Sequence, residues 1–252
     1  MILQEHIPDD MTQPRGLPGI APFDMADWLR VDEAYGVQMA ERARLLRERR
    51  EAVLACDPSA VPAVEELFET VLAHLPAGFV RDGEGVTRPD GVRVALDRDD
   101  PLGTLGHLVQ EDLCLMEKRG DAHVLTAAEL CFPASWRLDE KIMRPLIGIH
   151  EPVAEYDAGL ARRVQRLFDG IQVGRPLWRF NRLRYDDPTL FQPRSHKTPR
   201  PETDRRAGRY LRSERQCLVR LPETRAVVFS IHTYVIDALS EMAEQNGAER
   251  TA

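Results

Sequence analysis

The chain has 252 residues, a formal net charge of −7 and a charged fraction of 30%. This length allows one large domain or two small ones, and the acidic balance excludes the broadly basic surface of a general nucleic-acid binder. No apolar run approaches the roughly 20 residues needed to span a bilayer. We therefore expect neither nucleic acid nor a membrane as a partner.

The cysteines and the N-terminus indicate the compartment. The four cysteines form no C-x-x-C pair, lie among apolar residues and lack zinc-finger or haem-attachment spacing. Such thiols are typical of a reduced, cytosolic protein. Residues 1–10 lack the basic and apolar regions of a secretory signal. We expect a cytoplasmic protein.

The first quarter of the chain is predicted to be an extended arm followed by two helices. Residues 1–24 contain four prolines and are expected to wrap the surface without regular structure. Asp32 is a candidate N-cap for a helix that runs to about Cys56. Ser59 is a candidate N-cap for a second helix that ends before Pro76, because apolar residues recur there with helical spacing.

The remaining elements alternate between strands and short helices. They are predicted, in order, as a hairpin within 81–100, a short helix from Asp100, strands near Leu113–Glu117 and His123–Cys131, a helix at 139–147, a helix capped by Asp157, a strand at Leu177–Tyr185, a loop or lid at 192–208, strands at Arg209–Leu221 and Arg225–Tyr234, and a last helix at Ile236–Gln245. Strands that are adjacent in sequence meet through short turns, which favours an antiparallel sheet packed by helices. The sequence thus predicts an α+β fold in a single domain.

Two groups of residues could carry chemistry. His150 follows the apolar Leu146–Ile149 and precedes Glu151, which Pro152 restricts to extended geometry. This rigid exit from a buried segment suits either a structural imidazole or a metal ligand, and the residues alone leave both roles open.

The final hairpin is the second group, because Arg212, Glu214, Arg215 and Arg220 alternate with apolar residues on its first strand. One interpretation is a solvated sheet face with cross-strand ion pairs. The other is a binding site in which Arg215 and Arg220 clamp a carboxylate and Glu214 faces a cation. Asn181 and Tyr185 on the neighbouring strand could reach the same cavity.

Six blocks in this order resemble the haem-dependent oxidative N-demethylase family, typified by the haem subunit of dimethylamine monooxygenase. They cover most of residues 100–236 and are V-Q-E-D-L-C-L (109–115), L-C-F-P-A-S-W (130–136), E-K-I-M-R-P-L-I-G-I-H-E-P-V (140–153), D-D-P-T-L-F-Q-P (186–193), E-R-Q-C-L-V-R-L-P (214–222) and V-V-F-S-I-H-T-Y (227–234).

The resemblance implies a b-type haem with its iron on a histidine, in a PAS-like α+β fold. One domain would span residues 1–252. It would contain the arm at 1–24, a helical segment at 25–80 and the PAS-like core at 81–246. It also implies O2 as oxidant, electrons from a separate flavin/iron–sulfur reductase, and oxidation of an N-methyl group of a small amine or amino acid with release of formaldehyde. A haem-PAS sensor or redox module without turnover is the alternative, and homo- or hetero-oligomers are left open.

The resemblance also suggests roles for individual residues. His150 lies in the family's I-H-x-P-V block and is the candidate iron ligand. Glu214 would hold the ammonium of the amine, and Tyr185 or Tyr234 would give or take protons. The cations expected at the haem propionates are Lys141, Arg144, Arg215 and Arg220.

Three positions depart from the family pattern. Arg182 stands where the family usually has Trp, Tyr185 where it commonly has His, and His232 where it has Arg. These departures favour a substrate other than dimethylamine. They also make His232 an alternative iron ligand.

Overall fold

The computed structural model describes residues 2–12, 19–150, 158–195, 197–198 and 208–238, without the side chains of His150 and residues 158–161. Within these ranges the chain has a mixed α+β fold with one seven-stranded antiparallel sheet and one three-stranded sheet. The predicted α+β class with an antiparallel sheet is therefore confirmed, and the PAS-like topology stays a prediction. None of the described helices is both long and apolar enough to cross a membrane.

The large sheet is built around a long C-terminal hairpin. Its strands lie in the order β1 (Ala21–Pro22), β8 (Leu177–Tyr185), β9 (Tyr210–Arg220), β10 (Val227–Asp237), β6 (Asp112–Arg119), β7 (Ala122–Glu129) and β2 (Leu54–Cys56). The β6–β7 turn uses Gly120 at φ 61°, a left-handed conformation that glycine adopts without steric cost. In the central hairpin Thr233 lies opposite Glu214, so these two side chains share a face of the sheet.

The small sheet and the helices surround this sheet. The small sheet contains β3 (Val80–Asp82), β4 (Gly85–Thr87) and β5 (Arg93–Ala95). The helices are α1 (Tyr35–Glu48), α2 (Arg50–Val53), α3 (Val61–Ala73), α4 (Pro101–Gly106), α5 (Leu146–His150) and α6 (Ala158–Gly170). Asp100 caps α4, because its carboxylate accepts a hydrogen bond from the Gly103 N–H at 3.2 Å.

The two faces of the large sheet have different coverings. Side chains alternate along a strand, so Cys217 and Val219 of β9 pack with α3 and the N-terminal arm, whereas Leu218 packs with Phe168 and Ile171 near α6. We call the first face the arm face and the second the α6 face. Even-numbered residues of β9 lie on the α6 face, and odd-numbered residues lie on the arm face.

The N-terminal arm is part of the core. Met11 and Trp28 are fully buried, and the Trp28 indole Nε1 donates to Ser230 Oγ at 2.9 Å. Burying an apolar side chain such as Met11 contributes roughly 1.5–3 kcal/mol. The expectation of an arm without regular structure is corrected in part, since the arm contains the 3-10 turn Asp9–Met11 and strand β1.

Two boundaries near the first helices differ from the prediction. The helix predicted to reach Cys56 ends at Glu48, because Leu54–Cys56 pair with β7 as an edge strand. The residue that caps the turn before α3 is Asp57, whose carboxylate accepts from the Ser59 N–H at 3.0 Å. Ser59 is therefore not the cap.

The predicted helix at 139–147 is wrong over most of its length, because this segment pairs with β7. The Met143 N–H donates to the Leu125 carbonyl at 2.7 Å, and the Leu125 N–H donates to the Arg144 carbonyl at 3.1 Å. Helix α5 begins only at Leu146. At the C-terminus β10 continues to Asp237. Asp157, most of the predicted lid and residues 239–245 lie outside the described residues.

Candidate functional site

Glu214 is a nearly buried acidic group on the α6 face. It is 6% exposed, and its Oε2 accepts hydrogen bonds from Asn181 Nδ2 at 2.9 Å and Gln216 Nε2 at 3.1 Å. Arg212 Nε donates to Oε1 at 3.4 Å, and the Asn181 Oδ1 accepts from the Glu214 backbone N–H at 3.0 Å. A carboxylate has about four acceptor positions. The Glu214 side chain is thus fixed in orientation while it keeps the capacity to bind one more donor.

Arg212 belongs to the framework around Glu214. It is 1% exposed, and its Nη1 donates to the Leu190 carbonyl at 3.0 Å while its Nη2 donates to the Phe132 carbonyl at 2.5 Å. These bonds connect β9 to two loops. Its guanidinium is committed to the protein itself.

Arg179 differs from Arg212, although both lie on the α6 face. It stands opposite Gln216 in the β8–β9 ladder. Its buried Nε has no hydrogen-bond partner, and no described residue forms a hydrogen bond or ion pair with its guanidinium. Burial lowers the pKa of Arg179, with no neighbouring carboxylate to oppose that effect. The sequence reasoning did not single out this residue.

The predicted arginine clamp does not form. Arg220 lies on the α6 face, but its Nε donates to the Ile171 carbonyl at 2.7 Å, its Nη1 to the Arg225 carbonyl at 2.6 Å, and its Nη2 to the Phe168 carbonyl. It thus satisfies carbonyls at the C-terminal end of α6, where helices leave such groups unpaired.

Arg215 lies on the arm face, because residues 214 and 215 of one strand point to opposite sides. Its Nη2 donates to Asp27 Oδ2 at 3.1 Å, and its Nη1 to the Trp28 carbonyl at 3.0 Å. The guanidinium also lies 5.3 Å from the centre of the Trp178 ring. Arg215 is therefore brought together with neither Glu214 nor Arg220.

The two tyrosines predicted to handle protons are also separated. Tyr185 is buried on the α6 face, opposite Tyr210. Tyr234 is buried on the arm face, and its ring centre lies 4.6 Å from that of His232. Of the two tyrosines only Tyr185 thus shares a face with Glu214, and it lies four residues along the strands from the Asn181–Glu214 pair. Tyr234 lines an open cleft of about 420 Å³ on the arm face, with His6, Asp27, Arg30 and Asp32.

The segment that carries His150 adjoins the α6 face. Leu146 and Ile149 of α5 pack into the same apolar cluster as Leu218 and Phe168. Lys141 is buried, and its Nζ donates to the Ile149 carbonyl, which ties the preceding turn to α5. Arg144 is exposed in that turn. The His150 side chain lies outside the description, so its predicted role as iron ligand stays a prediction.

His232, the alternative ligand, is held between two carboxylates. Its Nδ1 lies 2.9 Å from Glu111 Oε1 and its Nε2 lies 3.1 Å from Asp32 Oδ2. Burial alone would lower the pKa of His232, but Tyr234, the hydrogen bonds to Asp32 and Glu111 and the charge of Glu111 raise it well above its ordinary value. Burial would raise the pKa of Asp32, yet the bond to His232 and the histidine's charge hold it at about 2.

An imidazolium with both nitrogens donating has no lone pair for a metal. Both ring nitrogens of His232 lie within hydrogen-bond distance of carboxylates, which does not favour His232 as an iron ligand, and this alternative stays a prediction.

A second buried charge cluster connects α1 to β6 and β7. Arg42 is fully buried; its Nη1 donates to Asp112 Oδ1 at 2.8 Å and its Nη2 to Glu129. Burial raises the pKa of Glu129 to about 7: Arg42 opposes this and Asp112 reinforces it. The sequence signal was the acidic pair Glu111-Asp112. Alternation along the strand sends Glu111 to His232 and Asp112 to Arg42.

Comparison with known protein families gives the context for this geometry. A family model described as haem-dependent oxidative N-demethylase, alpha subunit-like, matches residues 19–252. The match covers almost the whole chain and includes both faces of the large sheet. The family name implies haem and an oxidoreductase activity, and "alpha subunit-like" implies partner subunits. This chain belongs to the family of haem-dependent oxidative N-demethylases, alpha subunit-like.

Proposed function

We propose that this protein is a haem-dependent oxygenase that oxidises an N-methyl group of a small amine, with O2 and with electrons from a separate flavin/iron–sulfur reductase. The observation that carries this proposal is the Glu214 carboxylate, held in place by Asn181 and Gln216 on the α6 face. A fixed, nearly buried carboxylate with spare acceptor capacity suits the ammonium group of a protonated amine. The family supplies the haem and the reaction type.

Two features of the described residues support our proposal of a haem on the α6 face. Haem carries anionic propionates, and this face contains a half-buried arginine, Arg179, whose charge no described carboxylate compensates. Helix α5 ends at His150 and packs against the same face. We propose a b-type haem with His150 as its iron ligand. Lys141 and Arg144, in the turn beside α5, are the cations we propose for the propionates.

We do not include Arg215 and Arg220 among the cations proposed for the propionates, because their guanidinium groups already donate to other groups of the protein. We do not propose Tyr234 as a proton donor or acceptor, because it lies on the other face of the sheet. Tyr185 remains, since it shares the α6 face with Glu214. The proposed site therefore consists of His150, Glu214 and Tyr185, with Lys141 and Arg144 at the propionates.

The reaction requires O2, two electrons, two protons and the methylated amine. Bound haem supplies the reduction of O2 and the oxidation of the methyl C–H bond. One oxygen atom enters the methyl group to give a carbinolamine, and the other leaves as water. The carbinolamine then splits into formaldehyde and the shorter amine. Glu214 would orient the amine nitrogen, and the Tyr185 hydroxyl would exchange the proton that moves when the C–N bond breaks.

The domain organisation is part of the proposal. We propose that residues 1–252 form one PAS-like haem domain, in which the arm and the first helices support the sheet. The buried contacts of Met11 and Trp28 with the main core favour one domain over two. The reductase would be a separate component, in keeping with the partner subunits that the family description implies.

Formaldehyde release from a supplied reductase system tests this function. The haem-loaded protein is incubated with O2, the reductase and a panel of methylated amines, and formaldehyde is measured. We expect oxygen-dependent release by the wild type. Glu214→Gln should keep the haem absorption band but release at least about ten-fold less, because a hydrogen bond to a charged group contributes roughly 1.5–3 kcal/mol.

Glu84→Gln is the matched control, since Glu84 is exposed in the turn between β3 and β4. Its formaldehyde release should equal that of the wild type. A wild-type protein that binds haem but releases no formaldehyde from any amine of the panel would contradict the enzyme proposal. That result would favour a haem sensor or redox module.

A further inference from the structure

We propose that Arg179 is the carboxylate-binding residue of the α6 face, so that the ligand bound beside Glu214 presents a carboxylate to this guanidinium. The inference rests on the proposed function, because the ligands in question are the haem and the amine substrate. It replaces the clamp of Arg215 and Arg220 that the sequence predicted. The shared chemistry is a carboxylate, and its source is either a haem propionate or an acidic group on the substrate.

The first argument is the contrast between Arg179 and the other arginines of β8 and β9. Within the described part of the chain, the others all contact protein groups. Arg182 Nη1 donates to the Thr12 carbonyl at 3.1 Å, and Arg184 Nη1 to the Gly208 carbonyl at 3.5 Å. Arg212, Arg215 and Arg220 each have two or more partners. Arg179 has none among the described residues, and its Nε is fully removed from solvent.

The second argument is energetic. Removing part of a guanidinium from water without a counter-charge is unfavourable, and buried charges in native proteins are normally paired. Burial is the sole cause of the lowered pKa of Arg179, so the Glu214 charge does not compensate it. An arginine kept in this state is typical of a group whose partner arrives with a ligand. Its planar fork matches a carboxylate through two parallel hydrogen bonds.

The third argument is position. In the β8–β9 ladder Arg179 stands opposite Gln216 and Asn181 opposite Glu214. Arg179 and Glu214 are therefore diagonal neighbours on one face, and diagonal pairs in a sheet are roughly 7–8 Å apart. A molecule with an ammonium group and a carboxylate could contact both residues. If the carboxylate belongs to the substrate, the substrate class is an N-methylated amino acid rather than a simple alkylamine.

Paired titrations of wild type, Arg179→Gln, Arg179→Lys and the control Arg182→Gln test this inference. Arg182 is an arginine of the same strand that faces the arm. The first titration measures the affinity for haem and for haem dimethyl ester, whose propionates carry no charge. The second titration measures the affinity for N-methylglycine and for dimethylamine by calorimetry, with and without haem. Circular dichroism melting checks that each variant is folded.

Either of two results supports the inference. A loss of at least about ten-fold in affinity for haem, with the dimethyl ester unaffected, identifies a propionate as the partner. A similar loss for N-methylglycine, with dimethylamine unaffected, identifies a substrate carboxylate. In both cases Arg179→Lys should lie between wild type and Arg179→Gln, because an ammonium keeps the charge but not the fork. Arg182→Gln should match the wild type.

Other results would overturn the inference. Affinities of Arg179→Gln within two-fold of wild type in both titrations would show that the binding of neither carboxylate depends on this residue. Equal losses for a charged probe and its uncharged counterpart would show general damage to the site. A wild-type protein that binds no haem defeats the proposed function by itself. The calorimetric titration of the haem-free protein would then still decide the role of Arg179. A wild type that binds neither haem nor N-methylglycine would overturn the inference.

Discussion

The two faces of the large sheet both carry buried charge, but they treat it differently. On the arm face His232 lies between Glu111 and Asp32, and Arg215 is bonded to Asp27 and to the Trp28 carbonyl. Both of these cations have an anionic partner. On the α6 face Glu214 is held by amides and one arginine, and Arg179 has no partner among the described residues.

This difference supports our proposal that the charges of the α6 face bind a ligand, whereas those of the arm face stabilise the fold. The pairs of Asp27 with Arg215 and of Asp32 with His232 connect the segment just after the N-terminal arm to β9 and β10, across 188 and 200 positions of sequence. Their loss should reduce stability. The charges on the α6 face are oriented but incompletely compensated, so their loss should change binding more than stability.

The largest expected effect is the loss of the His232 cation. In His232→Leu the Glu111 and Asp32 carboxylates lose their shared partner, and breaking a buried ion pair costs about 3–5 kcal/mol. Denaturant unfolding should show a decrease of that size in the free energy of unfolding. His232→Arg restores a cation and should lose clearly less. A leucine variant as stable as the wild type would show that the arm face does not depend on this charge.

Arg220 should give the next largest effect, and on stability alone. Arg220→Met leaves the Ile171, Phe168 and Arg225 carbonyls without their donor, which should lower the free energy of unfolding by about 1–3 kcal/mol. Hydrogen exchange should increase at the end of α6. Arg163→Met, on the exposed side of α6, is the control and should change little. A variant with wild-type stability but weakened haem binding would instead indicate that Arg220 binds a haem propionate.

The dependence of stability on pH should reveal the two buried clusters. The pKa of Glu129 is raised from 4.5 to about 7 in the folded state, so its favourable contribution is lost as the pH rises from 4.5 through 7. The pKa of His232 is raised above 6.5, so its contribution is lost at still higher pH. Each group can contribute a slope of at most about 1.4 kcal/mol per pH unit.

Unfolding free energies measured at several pH values check these signs. The wild type should lose stability as the pH rises above 4.5. Glu129→Gln should flatten the profile between pH 4.5 and 7, and His232→Arg should flatten it above 6.5. A wild-type profile that rises across this range would mean that Glu129 and His232 are not protonated in the folded protein.

The smallest expected effect is at Arg179 in the ligand-free protein. Arg179→Gln removes an uncompensated cation and should leave the free energy of unfolding unchanged or raise it by up to about 1 kcal/mol, since solvent screens a half-buried charge. Arg182→Gln loses hydrogen bonds to the Met11 and Thr12 carbonyls and should cost about 0.5–1.5 kcal/mol. Thermal melts of both variants without haem make the comparison. An Arg179 variant that is destabilised as much as the Arg182 variant would contradict the account.

Local sequence patterns were sufficient for much of the sheet. Strands β6 to β10 follow from alternation and short turns, and Glu214 was correctly placed near Asn181 because β8 and β9 pair directly. The same alternation separates Glu214 from Arg215. The sequence interpretation grouped them because it followed proximity along the chain instead of the faces of a strand.

Long-range partners account for what could not be predicted. Arg220 is occupied by carbonyls about 50 residues away, and His232 by a carboxylate 200 residues away. No local pattern reveals such contacts. For the same reason Arg179, an arginine of the same strand as Arg182, could not be recognised from the sequence as the uncompensated one. Whether an arginine is available for a ligand depends on what the rest of the fold brings to it.

The most direct test of the account is a haem titration of the wild type, His150→Ala and His232→Arg, followed by the Soret absorption band. The α6 face is predicted to hold the haem, so the wild type and His232→Arg should bind one haem per chain with the same spectrum. His150→Ala should lose or strongly alter the band. An unchanged band in His150→Ala together with its loss in His232→Arg would place the iron on the arm face and contradict the account.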